Sequence, residues 1–256
     1  MNVSLIGSGN VATVLGRLIK SAGHTIDSVT SPTMLHAETL AKDLNAKANT
    51  SLETITHNSD IYIIAVSDTA IKELADTIKL PGKIIVHTCG AVSKNTLQKI
   101  TNQYGTLYPL QSLRKEAAHI PVIPILVDGS SAETKETIQA FAKSISSQVG
   151  FANDDERLKL HLAAVIVSNF TNHLYALTQE YCKMEAVDFS MLQPLIQETG
   201  NRIKEYAPMR MQTGPAVRGD LGTIYSHLQL LAAHPELRKI YNEFTESIVQ
   251  LHKQGD

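Results

Sequence analysis

A glycine-containing turn near the start of the chain, residues 7–12, has the spacing of a phosphate-binding loop. It directly follows the short apolar run 3–6 and matches G-x-G-x-x-A, the pattern in which a strand passes into a helix around a dinucleotide pyrophosphate. The first glycine permits the tight turn, and the second lets backbone approach the phosphates. We therefore predict a dinucleotide site, although an ordinary strand-to-helix turn can share this pattern. The predicted contacts are Gly7, Ser8, Gly9, Asn10 and Val11.

The end of the second predicted strand indicates which dinucleotide is bound. An NAD site usually places Asp or Glu there to bind the ribose hydroxyls. This chain has Thr30 and Ser31 instead, whose hydroxyls suit the 2′-phosphate of NADP, whereas Asp27 falls too early, inside the strand. The arginine that commonly accompanies a 2′-phosphate is missing. The absent carboxylate alone therefore favours NADP as the cofactor, with NAD as the other candidate.

Later strand ends face the same crevice, because the ligands of open α/β sheets bind at the carboxyl ends of strands. One of these ends reads Val66-Ser67-Asp68, and another reads Cys89-Gly90. We predict that Val66, Ser67 and Gly90 contact the cofactor, with the small Gly90 beside the nicotinamide. Asp68 is interpreted as the N-cap of the next helix. Cys89 has no base beside it in the sequence, and we do not predict that it is a nucleophile.

Polar residues form a stripe on the long apolar helix predicted over residues 156–183. If each residue turns the helix by about 100°, Ser168 and Asn172 each fall within about 20° of His161, and Asn169 lies about 80° from it. Histidine gains and loses a proton near pH 7, so His161 is the leading candidate for a general acid or base. Ser168 and Asn169 would then orient the substrate or the nicotinamide. Hydrogen bonds within a core or an interface explain the same stripe without catalysis.

Two further segments carry candidate substrate-binding side chains. In residues 213–220, Arg218 has the planar fork that grips a carboxylate or phosphate, and Asp220 is placed to N-cap the following helix. Tyr108 closes a strand just before Pro-Leu-Gln-Ser and is expected to reach the crevice. We take Arg218, Asp220 and Tyr108 as candidate substrate contacts. His227 is interpreted as a core or surface histidine.

The elements that position these residues change in character near residue 150. Before that point, short apolar runs alternate with amphipathic helical stretches, which is typical of a doubly wound α/β domain. The runs span residues 3–6, 25–30, 61–66, 83–87, 105–110 and 122–127. After it, the predicted helices span residues 156–183, 192–207, 221–233 and 235–253. We therefore predict a Rossmann-type dinucleotide-binding domain over residues 1–150 and a smaller all-helical domain over residues 151–256.

The composition excludes several other classes of protein. The 256 residues carry 23 Lys and Arg against 25 Asp and Glu, so no cationic surplus attracts nucleic acid or an anionic membrane. Two cysteines are too few for a Cys-rich zinc site or a disulfide framework. No apolar run is long enough to span a bilayer, and no signal peptide is visible. We expect a soluble cytoplasmic protein without a metal site.

The glycine turn, the Tyr108-Pro-Leu-Gln-Ser segment, His161 and the Gly-Pro-x-x-Arg-Gly-Asp motif that ends at Asp220 resemble, in order and spacing, a bacterial family. Its members are Rossmann-like proteins with a C-terminal domain of unknown function, commonly labelled NADP oxidoreductases. The resemblance covers nearly the whole chain and implies an architecture similar to pyrroline-carboxylate reductase, deazaflavin-dependent NADP reductase and the β-hydroxyacid dehydrogenases. In those relatives the helical domain dimerises and the substrate binds between the domains. The family usually has His where this chain has Tyr108.

The functional prediction is an NADP-dependent oxidoreductase. It would transfer a hydride between the nicotinamide and a C=O or C=N bond of a small polar metabolite in the interdomain cleft. A non-catalytic NAD(P)-binding sensor or scaffold is the alternative, and a deazaflavin-linked reductase is a third hypothesis. A long apolar helix in a domain of only about a hundred residues also predicts a homodimer formed through the helical domain.

Overall fold

The computed structural model describes residues 1–55, 57–117 and 119–253, which include one eight-stranded sheet. Its strands are β1 Asn2–Ile6, β2 Thr25–Thr30, β3 Lys47–Asn49, β4 Ile61–Ile64, β5 Ile84–His87, β6 Gln103–Pro109, β7 Ile125–Gly129 and β8 Val149–Phe151. Their order is β3-β2-β1-β4-β5-β6-β7-β8, and every neighbouring pair is parallel except β6 and β7. The predicted Rossmann-type α/β class is confirmed. The prediction missed β3 and β8, because three residues are too few to show a strand periodicity.

The helices of the described residues alternate with the strands and then follow one another without strands. They are α1 Asn10–Ser21, α2 Met34–Leu44, α3 Asp68–Thr77, α4 Ala132–Ile145, α5 Asp154–Ala164, α6 Thr171–Met184, α7 Gln193–Arg202, α8 Pro215–Arg218, α9 Leu221–Leu230 and α10 Pro235–Lys253. The single helix predicted over residues 156–183 is wrong in one respect, because the π-helical turn Val165–Phe170 separates α5 from α6. None of the described helices is both long and apolar enough to cross a lipid bilayer.

Apolar side chains cover both faces of the sheet, which explains why its central strands are apolar almost throughout. In β4, Ile61 and Ile63 belong to the cluster that packs on α1, α2 and α4. Tyr62 and Ile64 belong to the other cluster, together with Ile71 of α3. Because successive side chains of a strand point to opposite faces, each cluster takes every second residue.

The strand order reverses beside β1, whose neighbours in the sheet are β2 and β4. The carboxyl ends of β1 and β4 therefore form the topological switch point, where open α/β sheets bind their ligands. The glycine turn begins directly after β1, so the fold places it at this point.

The chain divides into two compact units, residues 1–168 and residues 169–256. The first contains the whole sheet and α1–α5, and the second contains α6–α10. The domain boundary predicted at residue 150 falls at β8, before α5, and residues 254–256 of the predicted helical domain lie outside the described residues. Few side chains of the second unit are buried. Among its described residues they are Cys182, Ala216, Leu231 and His234.

Candidate cofactor and active site

The glycine turn after β1 adopts a conformation that its glycines make possible. Gly7 has a φ of +122°, and a Cβ on it would lie 2.1 Å from the carbonyl oxygen of Ala65, just after β4. The Gly7 N–H donates to the carbonyl oxygen of Thr30 at 2.8 Å, which ties the turn to the end of β2. A Cβ on Gly9 would meet no atom within 4 Å, so the backbone there is open to an approaching ligand. Ala12 is fully buried, as close packing of α1 on the sheet requires.

The amino end of α1 offers free N–H groups beside this turn. Gly9 is the N-cap of α1, and no side chain among the described residues caps that helix. The Asn10 side-chain oxygen instead accepts a hydrogen bond from the Lys115 N–H at 3.2 Å. Uncapped N–H groups and the helix dipole favour an anion at this end. Together with the open backbone at Gly9, they fit the pyrophosphate of a dinucleotide.

A largely apolar cavity of about 330 Å³ lies at the carboxyl ends of β1, β2 and β4, and we call it the adenosine cavity. Four of the predicted cofactor contacts line it: Gly7, Thr30, Ser31 and Val66. The Oγ1 atom of Thr30 is buried and has no hydrogen-bond partner among the described residues. At the rim, the hydroxyls of Ser8 and Ser31 share a hydrogen bond of 2.8 Å. An apolar cavity with an unpaired hydroxyl fits an adenine ring and its ribose.

Cys89, two residues after β5, is held inside the protein rather than offered as a nucleophile. Its Sγ donates to the carbonyl oxygen of Val66 at 3.5 Å. Burial, and then the neighbouring Asp68 carboxyl, raise the pKa of the Cys89 thiol well above its ordinary value, so the thiol stays protonated near pH 7. Asp68 is the first residue of α3, and the N-cap is Ser67. The prediction of Asp68 as the cap is therefore wrong by one residue.

Tyr108 and His161 form a hydrogen-bonded pair beside Gly90. Tyr108 lies near the end of β6 and is 7% exposed, and its Oη lies 2.9 Å from Nδ1 of His161 in α5. The two rings meet edge to face, with centroids 5.9 Å apart. A Cβ on Gly90 would lie 2.6 Å from Cγ of His161, so the histidine ring occupies space that only glycine leaves. The fold thus brings together three residues that were predicted from separate segments of the sequence.

Arg157 is a residue of this site that the sequence prediction missed. It is 1% exposed, and its Nε donates to the carbonyl oxygens of Cys89 and Gly90 at 3.2 and 3.3 Å. Its Nη2 donates to the Val92 carbonyl oxygen and to Asp154 Oδ1, whereas Nη1 has no partner among the described residues. Arg157 therefore fastens the loop after β5 to α5. A cation at the fourth residue of a helix opposes the helix dipole, and this mismatch is the sequence signal that indicates a tertiary partner.

His87, the last residue of β5, is expected to make the protein less stable in acid. It is fully buried, its Nδ1 accepts from the Cys89 N–H at 3.2 Å, and burial together with the Arg157 charge lowers its pKa from 6.5 to about 4. Below pH 6.5 the unfolded chain takes up a proton that the folded chain does not. The free energy of unfolding should therefore fall by about 3 kcal/mol as the pH drops from 6.5 to about 4.

Urea unfolding of wild type and His87→Asn across this pH range measures the effect. The Asn Oδ1 can accept the hydrogen bond from the Cys89 N–H without titrating, so the variant should lose most of the pH dependence assigned to His87. Wild-type and variant curves that run parallel from pH 7 to pH 4 would show that His87 does not titrate as inferred.

The angular argument for the polar stripe on the long helix does not hold, because the helix is not regular. The π-helical turn Val165–Phe170 holds more residues per turn than an α-helix, so the 100° step that aligned His161 with Ser168 and Asn172 fails across it. Ser168 and Asn169 both lie in this turn. No hydrogen bond between described side chains joins either of them to His161, and their orienting roles stay predictions.

The second unit presents Arg218 on an exposed turn. Arg218 ends the short helix α8, which lies between two glycines with positive φ. Asp220 is the N-cap of α9, as predicted. Its Oδ1 accepts from the Thr223 N–H at 3.0 Å and its Oδ2 from the Thr223 hydroxyl at 2.7 Å, and these two hydrogen bonds lower the pKa of Asp220. The nearby His227 shares a hydrogen bond of 2.9 Å with the Tyr241 hydroxyl. Arg218 is thus available for an anion, while the Asp220 carboxylate already serves the helix cap.

Two protein-family models match parts of the chain. Residues 2–90 match the model described as NADP oxidoreductase coenzyme F420-dependent. Residues 123–248 match the model of a domain of unknown function, DUF2520. None of the curated proteins matches the chain.

Solved structures from several bacteria resemble the whole chain. The chain is 35% identical to a putative NADP oxidoreductase from Bacteroides fragilis, with a TM-score of 0.90 over 97% of this chain and 98% of that one. It shares its fold with 1-pyrroline-5-carboxylate reductase from Streptococcus pyogenes, at 12% identity and a TM-score of 0.66 over 98% of both chains. An imine reductase from Myxococcus stipitatus in complex with NADP+ is 17% identical, with a TM-score of 0.65 over 99% of this chain and 93% of that one.

Proposed function

Because the chain belongs to the NADP oxidoreductase family that the Bacteroides fragilis protein represents, we propose that it transfers a hydride between NADP(H) and a C=N or C=O bond. The observation that carries this proposal is the pair formed by Tyr108 and His161 beside Gly90. The pair lies at the same edge of the sheet as a turn that fits a pyrophosphate. The likeness to an imine reductase that binds NADP+ favours C=N as the first bond class to test.

The paired side chains supply the proton that this chemistry needs. Reduced nicotinamide, when bound, provides the hydride, which adds to the carbon of the double bond while the bonding electron pair moves to nitrogen or oxygen. The Tyr108 hydroxyl is protonated near neutral pH and can hand its proton to that atom, whereas burial, which raises its pKa, makes it a weaker acid that needs a second proton donor behind it. His161 in its protonated form returns a proton to Tyr108 Oη through Nδ1. In the oxidative direction the same pair accepts the proton.

The remaining predicted site residues bind and orient the substrate in this proposal. Arg218 binds an anionic group of the substrate, because its exposed guanidinium has no ion-pair partner among the described residues. Ser168 and Asn169 orient the substrate or the nicotinamide. Asp220 is the weaker candidate, since both of its carboxylate oxygens accept hydrogen bonds from Thr223.

The experiment that tests the proposal follows the absorbance of NADPH and NADH in the presence of imine and carbonyl panels, with and without an added deazaflavin. Substrate-dependent oxidation of NADPH supports the proposal. Tight NADPH binding without oxidation by any panel member would indicate a sensor or scaffold. Oxidation that requires the deazaflavin would make that group the hydride partner, as the match of residues 2–90 to the F420-dependent model suggests testing.

We also infer that a second copy of the chain covers the apolar surface of the second unit. With four buried side chains among its described residues, this unit has almost no core of its own. Its large exposed apolar side chains include Phe170, Met184, Met191, Leu195, Tyr225 and Phe244. So many large apolar side chains exposed on a unit with so small a core favour an interface over a free surface.

A homodimer is therefore expected in sedimentation velocity at micromolar concentrations. Met191→Glu should weaken it by about tenfold or more in the dimerisation constant, because a charge would be buried against an apolar partner. Leu35→Glu is the matched control, since Leu35 is an apolar residue of the first unit that is 68% exposed, against 76% for Met191. A wild-type monomer at every concentration would remove the inference.

A further inference from the structure

A second cavity, of about 480 Å³, opens beside Ser8 between α1 and α2, and we call it the cationic cavity. The polar and charged residues that line it include Ser8, Arg17, His36, Asp43 and Lys115. The cationic cavity adjoins the adenosine cavity. Ser8 lines the cationic cavity, Ser31 lines the adenosine cavity, and the two hydroxyls are hydrogen-bonded at 2.8 Å. A ligand whose ribose lies at these two serines can therefore reach into both cavities.

The cationic cavity contains more positive than negative charge. Arg17 is neutralised by Asp43, with Nε 2.8 Å from Oδ2. The ammonium of Lys115 and the ring of His36 have no hydrogen-bond or ion-pair partner among the described residues. Among the described residues that line the cavity, Asp43 has the only carboxylate. An anion entering it would meet two unpaired basic groups.

The backbone at Lys115 is held in place although the residue lies on a loop. Its N–H donates to Asn10 Oδ1 at 3.2 Å, and its carbonyl oxygen accepts from Arg17 Nη1 at 2.8 Å. Both partners are on α1, the helix whose amino end fits the pyrophosphate. The backbone that carries the Lys115 side chain is thereby held near the phosphate-binding turn, about a hundred residues away in sequence.

We propose that the cationic cavity binds the 2′-phosphate of NADP(H), with Lys115 and His36 as its basic partners and the Ser8 and Ser31 hydroxyls at the ribose. This inference rests on the proposed function and extends it to cofactor selection. The end of β2 has no carboxylate to bind a free 2′-hydroxyl, and Asp27 earlier in that strand accepts from the Ser59 hydroxyl at 2.5 Å. The arginine missing from the end of β2 is thus replaced by a lysine from a distant loop and a histidine of α2.

The test compares the Kd of NADPH and of NADH for wild type, Lys115→Ala, His36→Ala and the double variant. Each single variant should weaken NADPH binding by about tenfold, the usual effect of losing one charge-assisted hydrogen bond, and should change NADH binding by less than about twofold. Lys42→Ala is the matched control, because Lys42 is an exposed lysine of α2 outside the cavity lining. The pair 2′,5′-ADP and 5′-AMP should show the same selective loss without involving the nicotinamide.

Two results would overturn the inference. One is an equal loss of affinity for NADPH and NADH in the variants, which would place the basic groups on the pyrophosphate, and the other is no loss of affinity for either nucleotide. Thermal unfolding of each variant shows whether it is folded, and a Lys115→Gln variant repeats the measurement with most of the side chain kept. A wild type that binds neither nucleotide would instead count against the proposed function. Selective loss of NADPH binding in a protein that oxidises no substrate would support the phosphate site and reject the chemistry.

Discussion

Replacement of Tyr108 by phenylalanine is expected to lower kcat for substrate reduction by about 10²- to 10⁴-fold, the usual contribution of general acid catalysis. The variant keeps the ring that packs edge to face on His161 and loses only the hydroxyl that reaches Nδ1. His161→Gln should cause a loss of the same order, because it removes the other half of the proton path. The double variant should be little worse than either single one, since residues that act as a unit are not additive.

A matched pair of controls isolates the proton path from general damage. Tyr104→Phe removes a hydroxyl from the same strand, where it donates to Asn95 Oδ1 at 3.1 Å, and His57→Ala removes an exposed histidine before β4. Both controls should leave kcat unchanged, and NADPH affinity should be retained in all four single variants. Full activity of Tyr108→Phe and His161→Gln would show that the protonated atom is served by another group.

Loss of Arg157 is expected to cause the largest change in stability. In Arg157→Met the carbonyl oxygens of Cys89, Gly90 and Val92 lose their donor inside the protein. Buried acceptors left without partners, together with a broken charge pair, cost about 3–5 kcal/mol. This corresponds to a fall in Tm on the order of 10 °C for a chain of this size. Urea or thermal unfolding measures the loss directly.

Two companion variants show what the guanidinium contributes. Arg157→Lys keeps a charge near Asp154 but lacks the fork that reaches several carbonyl oxygens, so its loss of stability should be intermediate. Lys159→Met removes a solvent-exposed ion pair with Asp155 on the same helix and should leave the stability almost unchanged. If Arg157→Met were as stable as Lys159→Met, the loop after β5 would be held by other contacts.

Much of the fold follows from local patterns in the sequence. The turn after β1 could be predicted because its glycines are required by contacts with the sheet itself, such as the approach of Gly7 to the Ala65 carbonyl oxygen. The α/β class could be predicted because helices on both faces make a strand such as β4 apolar throughout. The π-helical turn Val165–Phe170 could not be predicted, because periodicity is read at a fixed angle per residue and an added residue shifts all that follow.

The sequence predicted several residues of the candidate site, but it did not predict which of them contact one another. Tyr108 and His161 were both candidates, but their pairing depends on how β6 and α5 meet across 53 positions of sequence. Arg157 was missed because a charged residue within a helix is most often solvent-exposed, and its burial depends on the loop after β5. Lys115 was missed because its cavity is assembled from α1, α2 and a loop far along the chain.

The measurement that tests the central claim most directly is thermal unfolding of the wild-type protein with NADPH, with NADH and without nucleotide. A ligand at about 100 times its Kd stabilises the folded chain by about 2.7 kcal/mol, which is a shift of several degrees for a protein of this size. An NADP-dependent oxidoreductase with the phosphate turn and cavities described above should show this shift with NADPH and a smaller one with NADH at the same concentration. An unfolding temperature that neither nucleotide changes would contradict the conclusion that the protein is an NADP-dependent oxidoreductase.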